Sequence, residues 1–104
     1  MQLNNKYNKI IQEVKIKIMK KITMFMMESC PYCKAARKWM NELFESDVKY
    51  TEIPLTLIDE TKQPDLAAKF DYYYVPTYYT DDVKVHEGAA SFDIVKKVFD
   101  DALL

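Results

Sequence analysis

Residues 22 to 33 read Ile22-Thr23-Met24-Phe25-Met26-Met27-Glu28-Ser29-Cys30-Pro31-Tyr32-Cys33, an apolar run that passes within two residues into a cysteine pair. The run from Ile22 to Met27 is apolar and free of breakers, the pattern of a strand buried on both faces. Glu28-Ser29 ends it. Ser29 is expected to cap a helix whose first positions are Cys30 and Pro31, because proline costs nothing where an N–H would be unpaired anyway. The helix should run to about Phe44. Ala36, Trp39, Met40, Leu43 and Phe44 recur at helical spacing, with Lys34, Arg37, Lys38, Asn41 and Glu45 on the other side, so the apolar face is expected to pack on the strand.

Outward from this unit, residues 48 to 55 alternate loosely and end at Pro54, which predicts a second strand closing in a bend. Pro64-Asp65 should open a short helix over residues 66 to 70, with an acid near its positive end. Residues 72 to 80 are aromatic and β-prone but broken by Pro76; Asp81-Asp82 separates them from residues 83 to 86, predicting a hairpin. Gly88 marks the next turn, and from Ser91 onward Phe92, Val95, Val98, Phe99 and Ala102 repeat as a last amphipathic helix. The order is βαβαββα, an α/β class. Residues 1 to 20 fit two readings: Ile10, Ile11, Val14 and Ile18 suit a helix, while residues 14 to 18 alternate as a strand would. They are taken as an extension, dispensable for folding, before a domain spanning 21 to 104.

Composition narrows the function. The chain has 104 residues, 49% hydrophobic and 30% charged, with four Pro and one Gly, within the range of one globular domain. The formal net charge is −1, which gives no general grip on nucleic acid phosphates. The balance is uneven, since residues 1 to 21 hold six Lys and one Glu. No apolar run approaches the roughly 20 residues that cross a bilayer, and none after the basic start has the length of a signal sequence; a cytoplasmic, membrane-free monomer is expected. Two cysteines three positions apart constrain almost nothing of an unfolded chain, so no disulfide framework is read here. Beyond these thiols the chain offers a single His86, and no intrachain zinc site is expected. His86 reads as a strand-end surface residue, the six Met mostly as core, and Asp81-Asp82 as a turn. Two buried small hydrophobes would account for the cysteines but not for Pro31 or the strand-to-helix position, which leaves redox chemistry.

At a helix N-terminus, unpaired N–H groups favour thiolate over thiol, so Cys30 is the expected nucleophile. Cys33, nearly one turn along, is placed to resolve a mixed disulfide on Cys30. Glu28, close in sequence, is expected to oppose the thiolate.

The sequence Cys30-Pro31-Tyr32-Cys33 at this junction resembles the dithiol signature of the glutaredoxins, within the thioredoxin superfamily. Val75-Pro76-Thr77 resembles the family's cis-proline segment, and Gly88 falls where its glycine pair would be; the resemblance spans residues 22 to 104. It implies a thioredoxin-like fold, a four-stranded mixed sheet flanked by three helices. It further implies a cis Pro76, with the Val75 backbone pairing an extended substrate beside Cys30, and contacts from Tyr32 and Gly88. Of the clustered tyrosines at 72 to 74 and 78 to 79, about half must be core by alternation, and Tyr74 is the candidate substrate contact. No cofactor is bound in this reading; glutathione enters as a candidate reductant and a thioredoxin-type reductase as another, with disulfide-containing proteins or glutathione mixed disulfides as partners. Three departures stand out. Met27 occupies the place of a basic glutathione anchor, Gly88-Ala89-Ala90-Ser91 keeps only half of the other clamp, and Ser29 replaces the aromatic residue of thioredoxins. Weak glutathione capture is therefore expected. The competing reading is a non-catalytic redox sensor or binding module whose cysteine pair switches an interface; a dimer bridged by an iron–sulfur cluster through Cys30 and glutathione is a third.

Overall fold

The computed structural model describes residues 19–103, so the readings made for residues 1 to 18 lie outside it. In chain order the elements are β1 (Ile22–Met26), α1 (Pro31–Ser46), a 3-10 helix (Val48–Glu52), β2 (Leu55–Asp59), α2 (Pro64–Ala67), β3 (Thr77–Thr80), β4 (Val83–Glu87) and α3 (Phe92–Ala102). The four strands form one mixed sheet in the order β2-β1-β3-β4. β1 runs parallel to β2, with Ile22 opposite Leu55, and antiparallel to β3, with Met24 opposite Tyr78.

β1 is the central strand that its apolar run predicts, buried at all five positions. Alternation along it divides the core in two. Ile22, Met24 and Met26 face one side, where Tyr78, Cys33, Ala36, Met40 and Leu43 of α1 and Val95, Val98, Phe99 and Ala102 of α3 complete one cluster. Phe25 faces the other, with Ile58, Ala67 and Tyr79. There the Phe25 ring stacks on Tyr72 at 4.8 Å and meets Phe70 at 4.7 Å. α3 starts as expected: the Ser91 hydroxyl oxygen accepts the Ile94 N–H at 3.2 Å. Met19 also joins the first cluster, and the Lys20 N–H donates to the Ala102 carbonyl at 3.2 Å.

Four local expectations are corrected. Ser29 is not the helix cap; Cys30 holds that position, without a side-chain capping bond, and the helix continues to Ser46. The second strand is not at 48 to 55 but at Leu55–Asp59. Asp47 turns the chain first, its carboxylate accepting the Lys49 N–H at 3.0 Å. Tyr50 and Ile53, three apart, then bury at the spacing of a 3-10 helix rather than a strand. The short helix ends at Ala67 rather than Phe70 because the chain tightens, Lys69 N–H reaching Leu66 O and Phe70 N–H reaching Ala67 O. Residues 72 to 76 form no strand, and β3 begins at Thr77. The Asp81-Asp82 turn stands, with Asp81 in the left-handed region at φ 50° and its N–H on Lys21 O.

Candidate active site

The cysteines sit where β1 hands over to α1. Cys30 is half-buried and Cys33 fully buried, and both are free thiols. The Cys30 N–H donates to Met27 O at 3.2 Å, and the Cys30 carbonyl accepts the Lys34 N–H at 3.0 Å, the first bond of the helix. Cys30 therefore stands at the end of a helix whose leading amides point at its sulfur.

The two thiols are driven apart. Burial pushes Cys30 upward, but hydrogen bonds from the Cys33 amide, the Cys33 thiol and the Tyr32 amide outweigh it and hold Cys30 below its ordinary value. Burial carries Cys33 up to about 11; the neighbouring Cys30 adds to this, while the Met27 amide and Arg37 pull the other way without prevailing. Opposite shifts in adjacent titratable groups mark separate roles. The acidic group with the largest effect against Cys30 is Glu60. Glu28 is turned toward Lys62, with Oε1 3.1 Å from Nζ, and its N–H donates to the carboxylate of the buried Asp59.

Across from the cysteines lies the proline segment. The Val75-Pro76 bond is cis, Pro76 is fully buried, and Val75 packs against both core clusters, sharing one of them with Cys30. The Pro76 carbonyl accepts the Gly88 N–H at 2.8 Å. Gly88 has φ 93°, with nothing near the place of a Cβ, so the backbone conformation rather than crowding demands glycine. Cys30, Cys33, Val75, Pro76 and Gly88 thus belong to one end of the sheet. Tyr32 and Tyr74 are 61% and 71% exposed; of Tyr74, the structure fixes the backbone.

That backbone is fixed by residues the sequence reading missed. Glu87, at the end of β4, accepts the Tyr73 N–H at 2.6 Å and the Tyr74 N–H at 2.9 Å on one carboxylate oxygen, while Lys84 Nζ binds the other at 2.7 Å. Lys84 also reaches the Asp71 carbonyl, which the Tyr79 hydroxyl holds at 2.7 Å. His86, half-buried rather than a plain surface residue, donates from Nε2 to the carbonyls of Gly88 and Ala89 at 3.0 and 2.9 Å; two carbonyl acceptors require that nitrogen to carry the proton. Glu87 has no signal in sequence spacing, because the hairpin brings the Tyr73 and Tyr74 amides to it from fourteen and thirteen residues away, whereas the His86 partners are local, two and three residues on.

Glu87 yields a direct expectation. Lys84 first, then the two tyrosine amides, lower its carboxyl from 4.5 to about 2. A depressed folded value means the unfolded chain binds the proton more readily, so this contribution is complete above about 4.5 and is lost as pH falls toward 2. In NMR titration, the Tyr73 and Tyr74 amide shifts are expected to move together with a midpoint near 2. In Glu87→Gln they should not titrate. A midpoint at or above 4.5 in the unmodified protein would remove the clamp.

Among the described residues, no group of three or more His, Cys, Asp or Glu is placed to hold a metal ion, and no helix is long and apolar enough to cross a membrane.

Comparison with known proteins adds family and fold. No curated protein sequence matches the chain. Among solved structures, oxidised thioredoxin from Plasmodium falciparum superposes with TM-score 0.63 at 17% identity, covering 92% of this chain and 92% of that one. Oxidised thioredoxin O1 from Arabidopsis thaliana gives 0.63 at 16% identity, covering 98% and 96%. A thioredoxin-like protein from Clostridium perfringens gives 0.59 at 24% identity, covering 81% and 71%. At these identities the likeness carries the fold, which is thioredoxin-like. The glutaredoxin family model matches residues 22–85, from the first residue of β1 into β4 and through both cysteines and the cis proline; the chain belongs to the glutaredoxin family.

Proposed function

We propose that this protein is a thiol–disulfide oxidoreductase that reduces protein disulfides in the cytoplasm, with Cys30 as nucleophile and Cys33 as resolving thiol. The observation that carries this reading is the opposed ionisation of the two sulfurs, one half-exposed and lowered, the other buried and raised to about 11. Cys30 thiolate attacks one sulfur of a substrate disulfide, forming a mixed disulfide and expelling the other substrate sulfur, which takes up a proton. Cys33 then loses its proton, attacks Cys30 and releases the second substrate thiol. The substrate gains two electrons and the dithiol becomes a disulfide. Tyr32, Tyr74, Val75, Pro76 and Gly88 would frame an extended substrate, since the Val75 backbone is held at the cysteine end of the sheet and Gly88 is bonded to Pro76.

A protein reductase suits the site better than glutathione does. Met27 supplies no anchor for a carboxylate, and the two lysines on the loop and hairpin beside the site are engaged, Lys62 by Glu28 and Lys84 by Glu87. An exposed charge pair contributes ~0.2–1 kcal/mol and a charge-assisted hydrogen bond about 1.5–3 kcal/mol. Met27→Lys combined with Glu28→Gln installs one cation and frees another. It is expected to raise glutathione-dependent efficiency between about three-fold and a hundred-fold, with much less change when a thioredoxin-type reductase supplies electrons. The test is a turnover assay on a disulfide protein, run with each reductant in both forms of the protein. An enzyme reduces many equivalents; a single equivalent with either reductant would identify a sensor, and no gain in the double variant would refute the charge argument.

A further inference from the structure

Beside the cysteine end of the sheet lies an open cleft of about 370 Å3, lined among others by Glu60, Ala67, Phe70, Tyr72 and Tyr73. The sheet positions Glu60 there: one residue past the end of β2, its N–H donates to the Met26 carbonyl at 3.0 Å, where β1 ends just before the cysteine loop. Its carboxylate accepts the Tyr72 hydroxyl at 3.4 Å, a long bond that leaves most of its acceptor capacity unused. The ion pairs described on this side are Lys62–Glu28 and Lys84–Glu87, and neither includes Glu60. From Asp59 to Asp71 the chain carries four carboxylates against two lysines, so the local field favours a cation.

The aromatic walls point the same way. Tyr72 is fixed by stacking on Phe25. Tyr73 is 86% exposed, yet its backbone is held by Glu87; a large ring kept at the surface on an anchored backbone is available to a ligand, and the faces of tyrosines attract ammonium and guanidinium groups.

We propose that Glu60, with Tyr72 and Tyr73, forms a subsite for a lysine or arginine side chain flanking the disulfide of a protein substrate. The proposal rests on the oxidoreductase reading and names the substrate class for it. It also gives Glu60 a purpose. Unpaired, this carboxylate opposes the Cys30 thiolate; a docked cation cancels that opposition, so a basic substrate activates the sulfur that attacks it, whereas an anionic one is repelled.

The experiment uses the full chain, pre-reduced and in excess, so one two-electron exchange is followed without an added reductant. Substrates are disulfide-linked dimers of blocked pentapeptides with Lys, Ala or Glu on both sides of the cysteine. Each rate is divided by the rate with free dithiothreitol, which removes differences in the peptides' own reactivity. The Lys peptide is expected to react about ten-fold faster than the Glu peptide at low ionic strength, with the preference shrinking in about 0.5 M salt. Glu60→Gln should reduce the ratio to about two-fold or less, and Glu60→Lys should invert it. Asp82→Asn removes the same charge in the β3–β4 turn, beside Lys21 at the opposite end of β1 from the cysteines; it should keep the wild-type ratio, which an effect of net charge alone would not. A wild-type ratio below about two-fold, or one unchanged in Glu60→Gln, overturns the subsite and leaves the exchange chemistry standing. If no peptide is reduced while dithiothreitol reduces all three, the oxidoreductase reading falls and the subsite with it.

Discussion

Cys30→Ser is expected to abolish disulfide exchange below detection, whereas Cys33→Ser should attack substrate at close to the normal initial rate and then stop at one equivalent. The asymmetry follows from position. The Cys30 sulfur is the partly exposed one, and a serine hydroxyl cannot supply the anion that attacks a disulfide. Cys33 is fully buried, so it meets only a partner already bonded to Cys30. With the resolving thiol gone, the mixed disulfide has no internal exit and should accumulate as a covalent adduct visible by mass spectrometry. Serine at 33 keeps a hydroxyl donor toward Cys30, a role the Cys33 side chain plays in lowering it. Cys33→Ala removes that donor and should slow the first attack at neutral pH relative to Cys33→Ser. Equal residual turnover in Cys30→Ser and Cys33→Ser would overturn the division of roles.

The parts of this site that lie close in sequence are those the sequence made legible. The apolar run of β1, the proline at the first position of α1 and the spacing of Cys30 and Cys33 are all local, and helix periodicity located the buried faces of α1 and α3. Misreading begins at the edge. β2 is a side strand buried only at Ile58 and Asp59, so it lacks the continuous apolar run that gave β1 away. Residues 48 to 55 alternate more convincingly but are turned by Asp47. Ending that strand at Leu55 hid the loop after Asp59, and with it the placement of Glu60. Glu28 seemed the relevant charge because it is two residues from Cys30, yet Lys62 answers it from another loop. Glu87 is thirteen residues from Tyr74 and binds its amide only because the hairpin folds back. The cis proline came through family resemblance, since an X-Pro bond in sequence favours trans.

Iodoacetamide at neutral pH should alkylate Cys30 at least a hundred times faster than Cys33, and the two effects that set this ratio can be separated. With its thiol raised to about 11, Cys33 at pH 7 is ionised about one part in ten thousand. An ordinary thiol at 9.0 is ionised to about 1%, and Cys30, lowered from that value, exceeds this share. The thiolate fractions thus differ by at least about 100-fold. A more basic thiolate is intrinsically more nucleophilic, with a Brønsted slope of about 0.4–0.5, which returns roughly six- to ten-fold to Cys33. Ionisation alone therefore leaves at least about ten-fold. The remainder comes from access, because the Cys33 side chain is 0% exposed and the reagent reaches it only when the start of α1 opens. Mild denaturant below the unfolding transition should lower the ratio toward the ionisation limit while the Cys30 inflection stays in place. Alkylation rate against pH should show Cys30 inflecting below a free thiol, and Glu60→Gln should move that inflection lower still, because the carboxylate that opposes the thiolate is gone. An inflection at or above that of a free thiol would mean that burial and Glu60 together outweigh the amides of Tyr32 and Cys33, and Cys30 would lose its claim to be the attacking sulfur.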